Sequence, residues 1–332
     1  MVLITGCAGF IGSSLVADFI CKGIKVIGID SFNFTNLSKS NFIKKYRLDS
    51  INNFHNSKAL FTYKVLDILD KSSLEKLFKK YRFTQVIHFA ALTGVRSSSV
   101  EPHSYIKNNI EGFHNIIELC NQYKIKHFIY ASSSSVYNQN TSIAENDNTN
   151  SPLSIYASTK KSNELIAYSY SHNFNLKTTG LRFFSVYGPF GRPDMSYFKF
   201  INSIFNDKSI NLSNYGNNKR DFTYIDDALN AIWQIFKDER KNKFSVYNIG
   251  AEEPISIKNL IVIIEKILNK KFKIYHTKSF SEDAKNTESN SRLIKSDYNI
   301  DFKTNISLGI KNFINWYRKY KIEYDKFCTD IN

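Results

Sequence analysis

Apolar residues along the first half of the chain alternate between two rhythms. Short runs rich in β-branched and aromatic residues, at Val2–Thr5, Lys25–Ile29, Leu60–Val65, Gln85–Phe89 and His127–Ala131, read as strands. Between them, Ile11–Lys22, Lys71–Lys80 and Glu101–Gln122 repeat their apolar positions every three to four residues, the spacing of one helix face. Strands alternating with helices form β-α-β units, so the pattern predicts a doubly wound parallel sheet with helices on both faces. A further helix over Ser154–His172 leads into a strand at Lys177–Phe183. Beyond it the rhythm changes. Gly188, Pro189, Gly191 and Pro193 are the densest turn punctuation in the chain. Helices are expected at Ser196–Asn206, Asp226–Lys237, Ser256–Leu268 and Ser307–Lys319, with a return to the sheet at Ser245–Ile249 and a polar loop over Ser279–Ser291. The expected division is a sheet-forming part at 1–182, with a return segment near 225–250, and a smaller mixed α/β part at 183–332.

Composition narrows the class. A chain of 332 residues with 42% hydrophobic and 23% charged residues buries a core, which excludes disorder, collagen and a disulfide scaffold. Its 45 basic and 30 acidic residues leave a net charge of +15. The lysines are scattered among Asn and Ser, with no long basic block and no nucleic-acid motif. The charge therefore reads as a solvated surface, and it also suits a diphosphate ligand. Cys7, Cys21, Cys120 and Cys328 lie far apart without C-x-x-C spacing, as expected of reduced thiols and not of bridges or a zinc site. The apolar N-terminus lacks a basic leader and is broken by glycines, and no run of 18 apolar residues occurs. The expectation is a cytoplasmic protein without a membrane or nucleic-acid partner and without a metal.

The first strand runs into T-G-C-A-G-F-I-G, with Gly6, Gly9 and Gly12, and Asp30 closes the second strand 18 positions later. A strand, a glycine turn, a helix and then an acidic strand end are what a dinucleotide site requires. Gly6 permits the turn, Gly9 the approach of a pyrophosphate, and Gly12 close packing of helix on strand. Asp30 would accept the ribose hydroxyls and repel a 2′-phosphate, favouring NAD over NADP; a loop-capping aspartate is the plain alternative. Lys25 is the nearest base in this unit.

Tyr156 and Lys160 form Y-x-x-x-K, which places both on one helix face about 6 Å apart. An ammonium at that range is worth on the order of 4 kcal/mol at an effective dielectric near 20, enough to bring a phenol of pKa about 10 towards 7. Such pairs are common on helix surfaces. The run Y-A-S-S-S-S-V-Y changes the balance, because Ser133 stands at a strand's C-terminal end, 23 residues before Tyr156, where it can bond the same substrate hydroxyl.

With H-F-A-A, L-R-F-F-S-V-Y-G-P-F-G-R-P-D-M and R-D-F-T-Y-I-D-D added, the chain resembles, over almost its whole length, the extended short-chain dehydrogenase/reductases, in particular the nucleotide-sugar epimerases and dehydratases. The resemblance implies a Rossmann-type fold, tightly bound NAD, a UDP-sugar substrate and a homodimer paired through helices that include the Tyr156 helix. It implies a catalytic set of Ser133, Tyr156 and Lys160. Phe10, Ile11, Asn33, Asp67, Ile68, Phe89, Ala90, Ala91 and Asn109 join the cofactor residues, and Lys160 also binds the nicotinamide ribose.

Ser134 and Ser135, on the substrate side, stand where dehydratases need an Asp-Glu pair, so dehydration lacks its acid and base. V-Y-G-P-F-G-R-P-D-M is similar to the segment of UDP-glucuronate 4-epimerases, in which Ser185 (usually threonine) and Arg192 hold the sugar carboxylate. A guanidinium fork suits a planar carboxylate; an arginine that only orders its own loop is the plain alternative. Arg220 corresponds to the arginine on the nucleotide diphosphate, with a salt bridge to Asp221 as the plain alternative. Asp283 and Thr287 remain of the family's substrate loop, and Asn290 replaces its aspartate. The implied reaction is redox-neutral 4-epimerisation of UDP-glucuronate by hydride transfer to and from NAD, with Tyr156 as acid and base. The 4-keto form is a β-keto acid, and a carboxylate held out of line with the carbonyl resists decarboxylation. Rivals are UDP-glucose or UDP-N-acetylglucosamine 4-epimerase, UDP-glucuronate decarboxylase and, outside enzymes, a dinucleotide-sensing binding protein.

Overall fold

The structure is a computed structural model that describes the chain apart from residues 33–36, 54–56, 138–142, 241, 278–285 and 332, and the side chains of 37–40, 330 and 331. The described residues form twelve strands: β1 Val2–Thr5, β2 Val26–Asp30, β3 Phe61–Val65, β4 Gln85–His88, β5 His127–Ser133, β6 Thr178–Phe183, β7 Ser185–Tyr187, β8 Ile210–Ser213, β9 Lys219–Tyr224, β10 Phe244–Ile249, β11 Pro254–Ser256 and β12 Ile274–Thr277. Seven form one parallel sheet in the order β10-β6-β5-β4-β1-β2-β3. Every residue of β1, β2 and β6 is buried, which is why these strands read as unbroken apolar runs instead of alternating.

The winding reverses between β1 and β4, and in such sheets ligands bind outside the strand ends at that crevice. Thr5 and His88 close the two strand ends: Thr5 Oγ1 lies 2.8 Å from His88 Nδ1 and accepts from the Ala90 amide at 3.1 Å. Burial holds the His88 imidazole neutral, its pKa brought down to about 3. The expected return to the sheet is β10, which pairs with β6 from Phe244↔Thr178 to Ile249↔Phe183. Outside it, β11-β9-β7 form a mixed sheet and β12-β8 a parallel pair. These strands of three to six residues are too short to show a period, and the hydrophobic pattern does not announce them.

The helices used below are α1 Phe10–Cys21, α2 Leu37–Asn52, α3 Gly112–Gln122, α4 Ile155–Phe174, α5 Ile225–Phe236 and α6 Ile306–Ile331. Three differ from expectation. α2 was not anticipated. The helical stretch expected over 101–122 contains a π turn at Lys107–Glu111 before α3. The last helix runs to Ile331, twelve residues past its expected end. The first and third differences share a cause. Trp316, Tyr320 and Tyr324 stack at four-residue intervals along α6, and Phe42 and Tyr46 of α2 pack on them, Phe42 at 5.4 Å from Tyr324 and Tyr46 at 5.3 Å from Tyr320 between ring centroids. Each helix supplies the apolar surface that the other needs. Among the described residues no helix is long and apolar enough to cross a membrane.

Candidate active site

The glycine turn is built as a tight cradle. Gly6 has φ +71°, and a Cβ there would stand 2.7 Å from the Ala90 nitrogen. A Cβ on Gly12 would stand 2.1 Å from the Gly6 carbonyl oxygen. A Cβ on Gly9 would meet only that carbonyl, at 3.0 Å, so its other side is open. The first intrahelical bond of α1 runs from Ser13 N to Gly9 O, which leaves the amides of Phe10, Ile11 and Gly12 at a helix N-terminus with no acidic residue in its first turn. Amides converging at a positive helix end fit a pyrophosphate.

Asp30 is buried at the end of β2. It accepts from Ala8 N at 3.2 Å, from Phe32 N at 3.0 Å and from Lys44 Nζ at 2.5 Å. It thus caps its own loop as well as facing the turn. The base beside it is Lys44 of the unanticipated α2, and Lys25 is not its partner. Asn33 and Asp283 lie outside the described residues. Asp67 accepts from Leu69 N at 2.9 Å. The Ile68 side chain is buried against Gly112, so only its backbone is available to a ligand. Phe89, Ala90 and Ala91 follow β4, half-buried, with Phe89 and Ala90 against Gly6. Asn109, in the π turn, accepts from Leu92 N at 2.8 Å and donates to Leu92 O at 3.0 Å and to Thr159 Oγ1 at 3.1 Å, tying that loop to α4.

α4 begins at Ser154, whose Oγ accepts from Ala157 N at 3.1 Å, and this cap places Tyr156 in the first turn. Ser133 ends β5 and lies near enough to the Tyr156 phenol to act on it; it accepts from Ser135 N at 3.2 Å and from Ser135 Oγ at 2.8 Å. Ser134 and Ser135 form the short helical turn that follows. Lys160 is buried, donates to Ala131 O at 2.9 Å and sits 5.9 Å from the Tyr156 ring centroid. Sequence spacing predicted that Lys160 would bring Tyr156 down. In the structure burial raises the phenol, and the Ser133 hydroxyl and the Arg192 charge oppose it. Lys160 points its protons at Ala131, and burial lowers it to about 8.

One turn beyond Lys160, Glu164 takes Arg182 of β6 in a buried bidentate pair, both bonds 2.8 Å, and accepts from Ser132 Oγ at 2.6 Å. Arg182 also donates to Tyr137 Oη at 2.6 Å and to Glu145 O at 3.0 Å. This clamp fixes α4 against β5, beside Ser133. Burial alone would raise Glu164, but the Arg182 fork prevails and holds it below the usual carboxylate range.

On the substrate side, Ser185 is half-buried in β7, paired with Phe222. Arg192 gives Nε and Nη2 to Asp194 at 3.0 and 2.5 Å and leaves Nη1 without a partner among the described residues. The loop-ordering role is therefore real, yet the charge is also felt at Tyr156. Arg220 donates to Lys219 O at 2.8 Å. Asp221 is no partner for it: fully buried, it accepts from the amides of Ala251, Glu252 and Ser289. Thr287 Oγ1 accepts from Asp221 N at 3.3 Å, which straps the substrate loop to β9. Sequence reasoning missed Lys44, Arg47, Glu164 and Arg182; only Arg182 carried a signal, as the charged residue in the otherwise apolar L-R-F-F.

Comparison with known proteins agrees with this geometry. Residues 2–250 match the model of the NAD dependent epimerase/dehydratase family. Protein CapI of Staphylococcus aureus is 42% identical over 96% of this chain and 98% of its own length. UDP-glucuronate 4-epimerase 4 of Arabidopsis thaliana is 38% identical over 96% of this chain and 75% of its own. The crystal structure of UDP-glucuronic acid 4-epimerase from Bacillus cereus, in complex with UDP-glucuronic acid and NAD, superposes with a TM-score of 0.89 at 31% identity, covering 96% of this chain and 99% of that one. The glycine cradle, the Ser133–Tyr156–Lys160 cluster and these likenesses converge: the chain belongs to the NAD dependent epimerase/dehydratase family and is an enzyme whose cofactor is NAD.

Proposed function

We propose that the protein interconverts UDP-glucuronate and UDP-galacturonate by epimerisation at carbon 4. The observation that carries this reading is Arg192: its Nη1 end is free of protein partners among the described residues, while its charge reaches the Tyr156 phenol. A sugar reacting at carbon 4 beside Tyr156 would bring its carbon-6 carboxylate to that cation, with Ser185 as a second donor. The likeness to the Bacillus cereus and Arabidopsis thaliana enzymes supports the same substrate.

The glycine turn, Asp30, Asp67, Ile68, Phe89, Ala90, Ala91 and Asn109 hold NAD in the 1–182 part and its return segment; the 183–332 part holds the UDP-sugar through Arg220, Thr287, Ser185 and Arg192, with Ser134 and Ser135 beside the sugar. Bound NAD supplies the hydride acceptor and donor. Tyr156 removes the proton of the 4-hydroxyl and later returns it, Ser133 holds that oxygen, and Lys160 stabilises the phenolate. Arg192 and Ser185 hold the carboxylate out of line with the 4-carbonyl, the alignment that loss of carbon dioxide needs. The outer face formed by α4 and the segment Pro102–Gln122 supports a pair of copies: Ile106, Leu165, Tyr168 and Phe174 are 47–59% exposed beside a 510 Å³ groove lined by His103, Ile110, His114 and Ile166. We propose that this face pairs two copies.

Incubation of purified protein with UDP-glucuronate, without added NAD, tests the reading. UDP-galacturonate is the expected product. A UDP-pentose would mean that Arg192 does not restrain the carboxylate, and turnover of UDP-glucose alone would remove the carboxylate pocket from the assignment.

A further inference from the structure

Arg47 of α2 is a buried cation that the reaction does not use. Its three nitrogens each donate to a main-chain carbonyl: Nη1 to Ala8 O at 3.1 Å, Nε to Phe190 O at 2.9 Å and Nη2 to Gly191 O at 3.0 Å. Ala8 belongs to the glycine turn, and Phe190 and Gly191 immediately precede Arg192. The acceptors are neutral and none of these bonds goes to a carboxylate, although the side chain is only 4% exposed; the Asp30 charge acts on it without a hydrogen bond, and a buried cation so weakly compensated is costly enough to need a reason.

The segment it grips has no slack. Phe190 sits at φ +63°, in the left-handed region that a non-glycine residue occupies only when its surroundings compel it. A Cβ on Gly191 would stand 1.9 Å from the Tyr197 hydroxyl. The Phe190 ring packs on Tyr46 and Trp316, 6.0 and 5.3 Å between centroids, so the aromatic seam between α2 and α6 holds the arginine and its target together.

We propose that Arg47 is a positioning residue that locks the loop carrying Arg192 to the pyrophosphate turn, and thereby sets the place of the sugar carboxylate relative to the cofactor. The inference rests on the UDP-glucuronate reading above. A planar fork fixes three carbonyls from two distant segments at once, and an ammonium on a flexible stem cannot, even though it keeps the charge.

The test compares wild type with Arg47→Lys as NAD-loaded holoenzymes. Wild type is assayed first on UDP-glucuronate and UDP-glucose; if it leaves UDP-glucuronate untouched, the substrate reading fails, and Arg47 is then judged on the sugar that is turned over. With retained NAD, Arg47→Lys should raise KM by roughly tenfold or more, as expected when hydrogen bonds from a charged group are lost, change kcat less, and raise the pentose fraction of the product. The KM effect should vanish in an Arg192→Ala background. Wild-type KM and product ratio in Arg47→Lys, or a fall in kcat alone, would overturn the proposal. A second measurement needs no variant: adding UDP-glucuronate to the wild-type holoenzyme should slow amide exchange in residues 6–13 and 188–195 together. Protection confined to one of the two segments would equally overturn it.

Discussion

Replacing Arg182 by Met tests how α4, the helix of Tyr156 and Lys160, is held. The substitution keeps most of the side-chain volume and removes five donors from a site where Arg182 makes both 2.8 Å bonds to Glu164 and reaches Tyr137 and Glu145. Breaking a buried pair from one side typically costs 3–5 kcal/mol, because the remaining charge stays buried. Here Glu164 retains Ser132 at 2.6 Å and Lys161 at 3.5 Å, so the expected loss lies near the lower end, about 3 kcal/mol. Replacing both partners, as Glu164→Leu with Arg182→Met, removes both charges and leaves Ser132 Oγ and Glu145 O short of a partner, while Tyr137 Oη still donates to Asn248 Oδ1 at 2.7 Å, for a loss of about 1–2 kcal/mol. Urea unfolding of the NAD-loaded proteins reads these values, and the double variant should be more stable than Arg182→Met alone. Tyr156, Lys160 and Glu164 lie at four-residue steps on one face of α4, so kcat of Arg182→Met should fall by more than its unfolded fraction explains, up to about 100-fold for a 1 Å displacement. An Arg182→Met loss below 1 kcal/mol, or losses that simply add in the double variant, would refute the clamp.

Three further outcomes follow from single contacts. Gly12→Ala places a methyl 2.1 Å from the Gly6 oxygen, and Gly6 is itself pinned by Phe89 and Ala90, so α1 must retreat by roughly 1 Å; the purified variant should carry little NAD, and a full complement would exclude the packing argument. Lys160→Met removes a charge 5.9 Å from the Tyr156 ring, worth up to about 3 kcal/mol or two pKa units at an effective dielectric near 20, so kcat at pH 7 should drop up to about 100-fold and recover as pH rises; a loss independent of pH would confine Lys160 to binding. Burial depresses the imidazoles of His88 and His127 to about 3, below the ordinary 6.5 of the unfolded chain. Their contribution to stability is therefore complete above pH 6.5 and drains as pH falls towards 3, at about 1.4 kcal/mol per pH unit for each. Urea titrations at pH 7.5, 5.5 and 4.5 should show this slope, and His127→Gln should remove one proton's share; an unchanged slope would mean that His127 is not held neutral.

The parts legible in the sequence are those whose physics is local. The central strands are buried on both faces and announce themselves as apolar runs, the three glycines answer to a turn of seven residues, and Tyr156 and Lys160 share a face because four residues make a helical turn. α2 was hidden because its apolar residues are scattered among lysines and its partner, the aromatic seam of α6, lies some 270 residues away in a helix itself cut short in the reading. With α2 went Lys44, which pairs with Asp30, and Arg47, which donates to Ala8 O in the glycine turn, so charge bookkeeping around Asp30 fell on Lys25. The Tyr156 reading failed for a related reason. Spacing counts charges but not desolvation, and in this fold burial outweighs what a lysine turned towards Ala131 can offer. Lys160 alone does not offset that burial, so lowering of the phenol during turnover must also draw on groups that sequence spacing does not connect to it. Arg192, 36 positions downstream, is the one whose charge already acts there, which makes the cation that would bind the sugar carboxylate also a determinant of the acid and base. On the proposed assignment, recognition and proton transfer would be coupled through one guanidinium, and a neutral sugar that leaves this cation unneutralised would meet a more acidic Tyr156 than a sugar acid does.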